Sequence, residues 1–142
     1  MLASTVIVAA TAVLILPQLE SAQPTEEASL LAAVPFSETA LAQARSDGKP
    51  VFLWFTADWC LTCKVNEGVA IEREATRAAF QKAGVVAMRG DWTRRDPAIT
   101  RFLTEHGAAG VPLYLWYRPG KDGEVLPQVL TPGSLTALAQ AS

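Results

Sequence analysis

Apolar and mixed stretches take turns along this chain. Three short, uninterrupted apolar runs stand out: Val51-Phe52-Leu53-Trp54-Phe55, Val85-Val86-Ala87-Met88 and Leu113-Tyr114-Leu115-Trp116-Tyr117. They are too short for helices and rich in aromatic and β-branched residues, which predicts strands buried on both faces. The mixed stretches between them predict helices. Ser37 is a suitable N-cap for a helix through about Ser46, stopped by Asp47-Gly48. A second helix starts at Cys60, and a third covers Glu72 to Lys82 with Gly84 at its C-terminal cap. Asp96-Pro97 supplies a cap and a first-turn proline for a helix to His106, closed by Gly107, so His106 reads as a capping or surface residue. Arg118 to Gly123 is a hairpin-type turn, Gln128 to Leu130 the expected edge strand, and Pro132 to Ala141 the last helix. The order βα, βα, ββα predicts an α/β domain, a central sheet with helices on both faces.

The N-terminal pattern differs. Leu2 to Leu16 carries no charge and is followed by Pro17. Crossing a bilayer takes about 20 apolar residues, so the run is short. A secretory signal would want a basic start and a small-x-small cleavage site, but the basic start is absent and Glu20 spoils the site before Ala22. Residues 1–17 are therefore expected to be an apolar membrane segment, the end of a transmembrane helix or an anchor. The alternatives are a signal core and a buried helix of the soluble domain. Residues 18–34 are expected to be a polar linker and residues 35–142 the folded domain, long enough for one core. No Lys or Arg occurs before Arg45, while Glu20, Glu26 and Glu27 follow the apolar run. Cytoplasmic flanks are enriched in Lys and Arg, so this flank points the domain away from the cytoplasm.

Charge adds an exclusion. Twelve basic and 14 acidic side chains give a formal charge of −2, which is no footprint for nucleic acid. Arg89, Arg94, Arg95 and Arg101 read as a solvated surface. The chemistry lies in the two cysteines of the chain, Cys60 and Cys63. They follow a strand and open a helix, where free backbone N–H groups and the helix dipole favour a thiolate. The second lies about one turn on, near enough to close a disulfide and release a mixed-disulfide partner. Structural zinc wants four Cys or His ligands, and the chain offers two Cys and His106. A stapling role is weak because so short a loop constrains little. With no metal, nucleotide or flavin motif, the redox-active pair itself is the expected centre. Gly110-Val111-Pro112 precedes the third apolar run; proline suits the first residue of a strand, and X-Pro is the bond where cis is cheap. A plain loop-to-strand boundary would read the same way.

Phe55-Thr56-Ala57-Asp58-Trp59-Cys60-Leu61-Thr62-Cys63-Lys64, with Gly110-Val111-Pro112 further on, resembles the thioredoxin superfamily. The closer resemblance is to the C-terminal periplasmic domain of DsbD-type thiol:disulfide interchange proteins and their ScsB-like relatives, from about Pro35 to the C-terminus. It implies a thioredoxin-like fold in which Cys60 attacks, Cys63 resolves, Pro112 is the cis-proline facing the disulfide and Val111 offers backbone hydrogen bonds to an extended substrate. Trp59 would shield the site. Many relatives carry a buried Asp where this chain has Trp54, so the usual proton acceptor for the resolving cysteine is missing. Glu67 is the replacement by spacing, one turn beyond Cys63 on the same face; its charge would raise the thiol pKa values. A solvated Glu without a role is the alternative, and Asp58 reads as a rim residue.

The resemblance implies a protein-disulfide reductase at a bacterial inner membrane, its domain on the periplasmic side. It would pass electrons from a membrane-embedded donor to periplasmic thiol and disulfide proteins. The dipeptide Leu61-Thr62 does not set the direction, so an oxidase or isomerase remains an alternative, as does a non-catalytic binding module.

Overall fold

The structure, a computed structural model, describes residues 28–142. The apolar run at 1–17 lies outside the described residues, as does most of the expected linker. Among the described residues no helix is long and apolar enough to cross a membrane.

Five strands form one sheet in the order β1-β3-β2-β4-β5. They are β1 (Val34–Pro35), β2 (Val51–Thr56), β3 (Val86–Asp91), β4 (Leu113–Tyr117) and β5 (Glu124–Val125). β1 and β2 run parallel to β3, and β4 is antiparallel to both β2 and β5. The expected central sheet is present, and it is mixed. The helices are α1 (Glu38–Ser46), α2 (Leu61–Asn66), α3 (Glu74–Ala83), α4 (Pro97–Glu105) and α5 (Ser134–Gln140). α2 continues into a single π-helical turn, Glu67–Ile71.

Strand side chains alternate between faces. Val51, Leu53 and Phe55 pack with Leu113, Leu115 and Tyr117 against Leu41 and Ala44 of α1 and Ile99, Phe102 and Leu103 of α4. Phe52 and Trp54 pack with Tyr114 and Trp116 against Ala70 and Ile71 of the π turn, Phe80 of α3, and Leu135 and Ala139 of α5. Every residue of β2 and β4 is buried, which is why both strands read as unbroken apolar runs. Gly90 of β3 sits opposite Phe55, whose ring occupies the place a Cβ would need.

The expected caps form. Ser37 Oγ accepts from Ala40 N, Asp96 accepts from Ala98 N and Ile99 N, and Gly84 ends α3 in the left-handed region at φ 69°. His106 closes α4, its Nδ1 2.8 Å from Phe102 O and its ring stacked on Phe102.

Three boundaries differ from expectation. Packing starts before Pro35: Ser29 Oγ and Leu30 N both donate to Glu72, at 2.8 and 2.7 Å, and Leu31 and Ala33 lie against the second core cluster. The polar stretch before Ser29 masked this short apolar segment, whose strand is only two residues long and is defined by its pairing with β3. β3 runs on to Asp91, past the apolar run, because Arg89 to Asp91 still pair with Trp54 to Thr56. The last strand is Glu124–Val125, and Gln128 to Leu130 is not a strand. Pro127 has no N–H for a ladder, and Asn66 captures the Gln128 carbonyl and the Leu130 N–H.

Candidate active site

β2 ends at Thr56, and a turn closed by Cys60 N donating to Ala57 O at 3.1 Å delivers Cys60 to the N-cap of α2. Cys60 and Cys63 form a disulfide with Cα atoms 5.3 Å apart. Cys60 is 8% exposed and Cys63 fully buried, so only the first sulfur is within reach of another molecule. Cys63 N–H points at Cys60 Sγ, 3.2 Å away. A donor so placed at a helix start stabilises negative charge on that sulfur once the pair is reduced.

The Val111–Pro112 bond is cis. Val111 O stands 3.9 Å from Cys60 Sγ, and Val111 packs with Ala57, Cys60 and Cys63. The structure thus brings Cys60, Cys63, Val111 and Pro112 together.

Trp59 lies on the rim, 52% exposed. Its Nε1 donates to Thr93 O at 3.2 Å, its ring meets that of Trp92 at 6.0 Å, and the Arg95 guanidinium lies 5.2 Å from the Trp59 ring and 4.8 Å from the Trp92 ring. Arg95 holds φ 54°, a left-handed conformation uncommon for a residue with a side chain. Thr93 organises this loop. Its Oγ1 accepts from Asp58 N at 3.0 Å and donates to Asp91 Oδ1 at 2.5 Å. Burial is the largest influence on Asp91 and opposes its ionisation, but two hydrogen bonds from Thr93 and the attraction of Arg89 and Lys64 together outweigh it; the carboxyl is held below its usual range.

Glu67 sits where α2 passes into the π turn. Its side chain is 15% exposed, with Oε2 3.1 Å from Lys64 Nζ. Oε1 is buried and meets no donor among the described residues. It is not a solvated helix-face residue. Trp54 is fully buried and stacks on Phe52 at 5.3 Å, so no carboxylate lies beneath the disulfide on β2. Asp58 is a rim residue, its carboxylate 73% exposed and 3.9 Å from Lys64.

Sequence reasoning missed Asn66. It is 2% exposed, buried at the end of α2 between Cys63 of the same helix and Ala70 of the π turn. Nδ2 donates to Tyr114 Oη at 2.9 Å and to Gln128 O at 2.7 Å, and Oδ1 accepts from Leu130 N at 3.1 Å. A polar residue at i+3 from a buried cysteine and i−4 from a buried alanine was the available signal. Burial raises the Tyr114 hydroxyl to about 12, against the Asn66 hydrogen bond and with help from the Glu67 charge. Among the described residues no group of three or more His, Cys, Asp or Glu is placed to hold a metal.

A family model described as Thioredoxin-like matches residues 32–119. The Pseudomonas aeruginosa thiol:disulfide interchange protein DsbD 1 is 39% identical over 85 residues, 60% of this chain and 14% of that protein. The Cronobacter sakazakii thiol:disulfide interchange protein DsbD is 30% identical over 112 residues, 79% of this chain and 18% of that one. The chain thus spans less than a fifth of the length of these curated relatives. Among solved structures, the oxidised C-terminal domain of Neisseria meningitidis DsbD superposes with a TM-score of 0.59 at 23% identity, covering 76% of this chain and 98% of that domain. A mutant thioredoxin from Halobacterium salinarum gives 0.59 at 19%, covering 80% and 92%. Helix-mounted cysteine pair, facing cis-proline, sheet order and matched family model agree: the chain belongs to the thioredoxin-like family.

Proposed function

We propose that this chain is a thiol:disulfide oxidoreductase working as a protein-disulfide reductase. The observation that carries the exchange chemistry is the asymmetry of the Cys60–Cys63 disulfide, Cys60 slightly exposed and Cys63 fully buried, beside the Val111–Pro112 loop. Similarity to DsbD-type interchange proteins favours the reductase direction. The reduced Cys60 thiolate attacks one sulfur of a substrate disulfide. The substrate S–S bond breaks, and the departing thiolate takes a proton from solvent. Cys63 loses its proton and attacks the Cys60 sulfur, releasing the second substrate thiol. Two electrons have passed to the substrate, and the Cys60–Cys63 disulfide remains.

Val111 and Pro112 line the groove for an extended substrate, and Trp59 shields its rim. Glu67 takes the Cys63 proton. Its inward Oε1, free of any described donor, supports that role. The redox centre is the cysteine pair, without metal or organic cofactor. The next electrons come from a membrane-embedded dithiol donor, either a separate protein or another part of a longer chain. The substrates are periplasmic protein disulfides, and the domain stands on the periplasmic side of a bacterial inner membrane, tethered through residues 1–17. The Lys/Arg-free, Glu-containing flank before Arg45 and the similarity to DsbD-type proteins support this setting.

Equilibrating the full chain with glutathione or dithiothreitol buffers measures the potential of the pair. A value of about −230 mV or lower is expected for a reductase; one near about −120 mV marks an oxidant and overturns the direction. Failure of Cys63→Ser to accumulate mixed disulfides through Cys60 would leave a non-catalytic binding module.

A further inference from the structure

The β4–β5 ladder stops early, and a side chain continues it. Leu115 pairs with Val125 and Trp116 with Glu124, and Leu126 N donates to Tyr114 O at 2.9 Å. The same register places residue 128 opposite residue 112. A backbone bond there would run from the residue 128 N–H to the Pro112 carbonyl, with nothing returned because Pro112 has no N–H. The chain instead bends at Gln128 and Val129. The Gln128 side chain turns back, and its Nε2 donates to Pro112 O at 3.2 Å. Gln128's own carbonyl is held by Asn66, which shares α2 with Cys63. Asn66 also holds the hydroxyl of Tyr114, two residues past Pro112.

The helix that carries the cysteines is thus tied to the proline loop by side chains. The link runs from Asn66 through Gln128 to Pro112, with a second strut through Tyr114. Neither side chain reaches the sulfurs. What they fix is the seat of the proline loop, whose Val111 O stands 3.9 Å from Cys60 Sγ.

We propose that Gln128 is a positioning residue, a clamp holding the Val111–Pro112 loop at the height an extended disulfide substrate needs beside Cys60. The clamp serves substrates that lie along the loop. Small disulfides that touch only Cys60 do not use it. This rests on the exchange activity proposed above.

The test compares the full chain with Gln128→Met, which keeps length and loses the donor, and Gln128→Lys, which restores a donor. Gln128 is exposed, so neither change opens the core. One probe is a short extended peptide dimerised through a single central cysteine; the other is bis(2-hydroxyethyl) disulfide. For Gln128→Met, KM for the peptide is expected to rise about 3- to 10-fold, the equivalent of one net hydrogen bond. Its kcat, its rate with the small disulfide and the Cys60–Cys63 potential should stay at wild-type values. Gln128→Lys should bring the peptide KM back toward wild type. An unchanged peptide KM in Gln128→Met, or equal slowing with both probes, overturns the clamp while leaving exchange intact. A wild-type chain that reduces neither probe removes the exchange reading, and the clamp with it.

Discussion

The two faces of the sheet share the same strands and differ in what they bury. Toward α1 and α4 the interior is aliphatic and aromatic, with Phe36, Phe55 and Phe102 packed edge to face or tilted. Toward α2, the π turn, α3 and α5 lie the buried polar side chains Asn66 and Thr76 and the Tyr114 hydroxyl. The same side holds Trp54 Nε1 and the inward oxygen of Glu67, neither with a partner among the described residues. Buried polar groups cost stability unless they are satisfied. The second face carries that burden, and it is the face under the resolving cysteine. Both faces bury a large apolar core, and the proposed tuning and positioning of the site falls to the second.

The sharpest break of this comparison is at the sulfurs. Cys60→Ser should abolish exchange, a loss of at least about 10³-fold, since the attacking nucleophile is gone. Cys63→Ser should leave attack intact and halt resolution, so that a reductant-sensitive conjugate accumulates on non-reducing gels.

The next effect belongs to the scaffold face. Leu53→Ala, at a fully buried position, should cost about 2–5 kcal/mol in denaturant unfolding and leave the cysteine potential where it was. A large potential shift would dissolve the division of labour between faces.

On the other face, Asn66→Ala should cost about 2–4 kcal/mol, because Leu130 N and Gln128 O lose their partner. It should also raise the peptide KM through the proline loop. A stability loss without a KM change would make Asn66 a folding residue alone.

Alkali acts on both faces, and more gently. The Tyr114 hydroxyl titrates at about 12 in the fold against an ordinary 10.0. Its burial therefore contributes stability that is fully present below about pH 10 and lost as pH rises toward 12. Tyr117, on the scaffold face, is also raised by burial, against attraction from Arg45. Tyr114→Phe should flatten the alkaline fall of the midpoint in urea. Asp91 works in the opposite sense: its lowered pKa gives stability present above its ordinary value of 3.8 and lost as pH falls further. The smallest effect should come from Thr93→Ala, about 1 kcal/mol, read as acid unfolding and as increased solvent access to Trp59 fluorescence.

The core strands were legible because β2 and β4 are covered on both sides, which leaves an unbroken apolar run. The caps at Ser37, Gly84 and Asp96 were legible because each is a local arrangement of one side chain or one φ angle with a few neighbouring N–H groups. Cys60 and Cys63 declared themselves by spacing. Helical period placed Glu67 one turn beyond Cys63, and packing put its carboxylate inside. Asn66, Gln128 and Thr93 were not found, since each acts on backbone groups far along the chain. β1 and β5 were lost for a related reason: two-residue edge strands are defined by what they pair with, and their own composition is that of a loop.

The amino-acid sequence by itself determined the strand–turn–helix that carries Cys60 and Cys63, because periodicity, capping and the cysteine spacing are local properties. The tertiary structure decided what faces that pair. The seat of the Val111–Pro112 loop, the inward turn of Glu67 and the bend that replaces a strand at Gln128 depend on contacts between residues distant in the chain. Their energies exist only once β2, β4 and α2 are packed together.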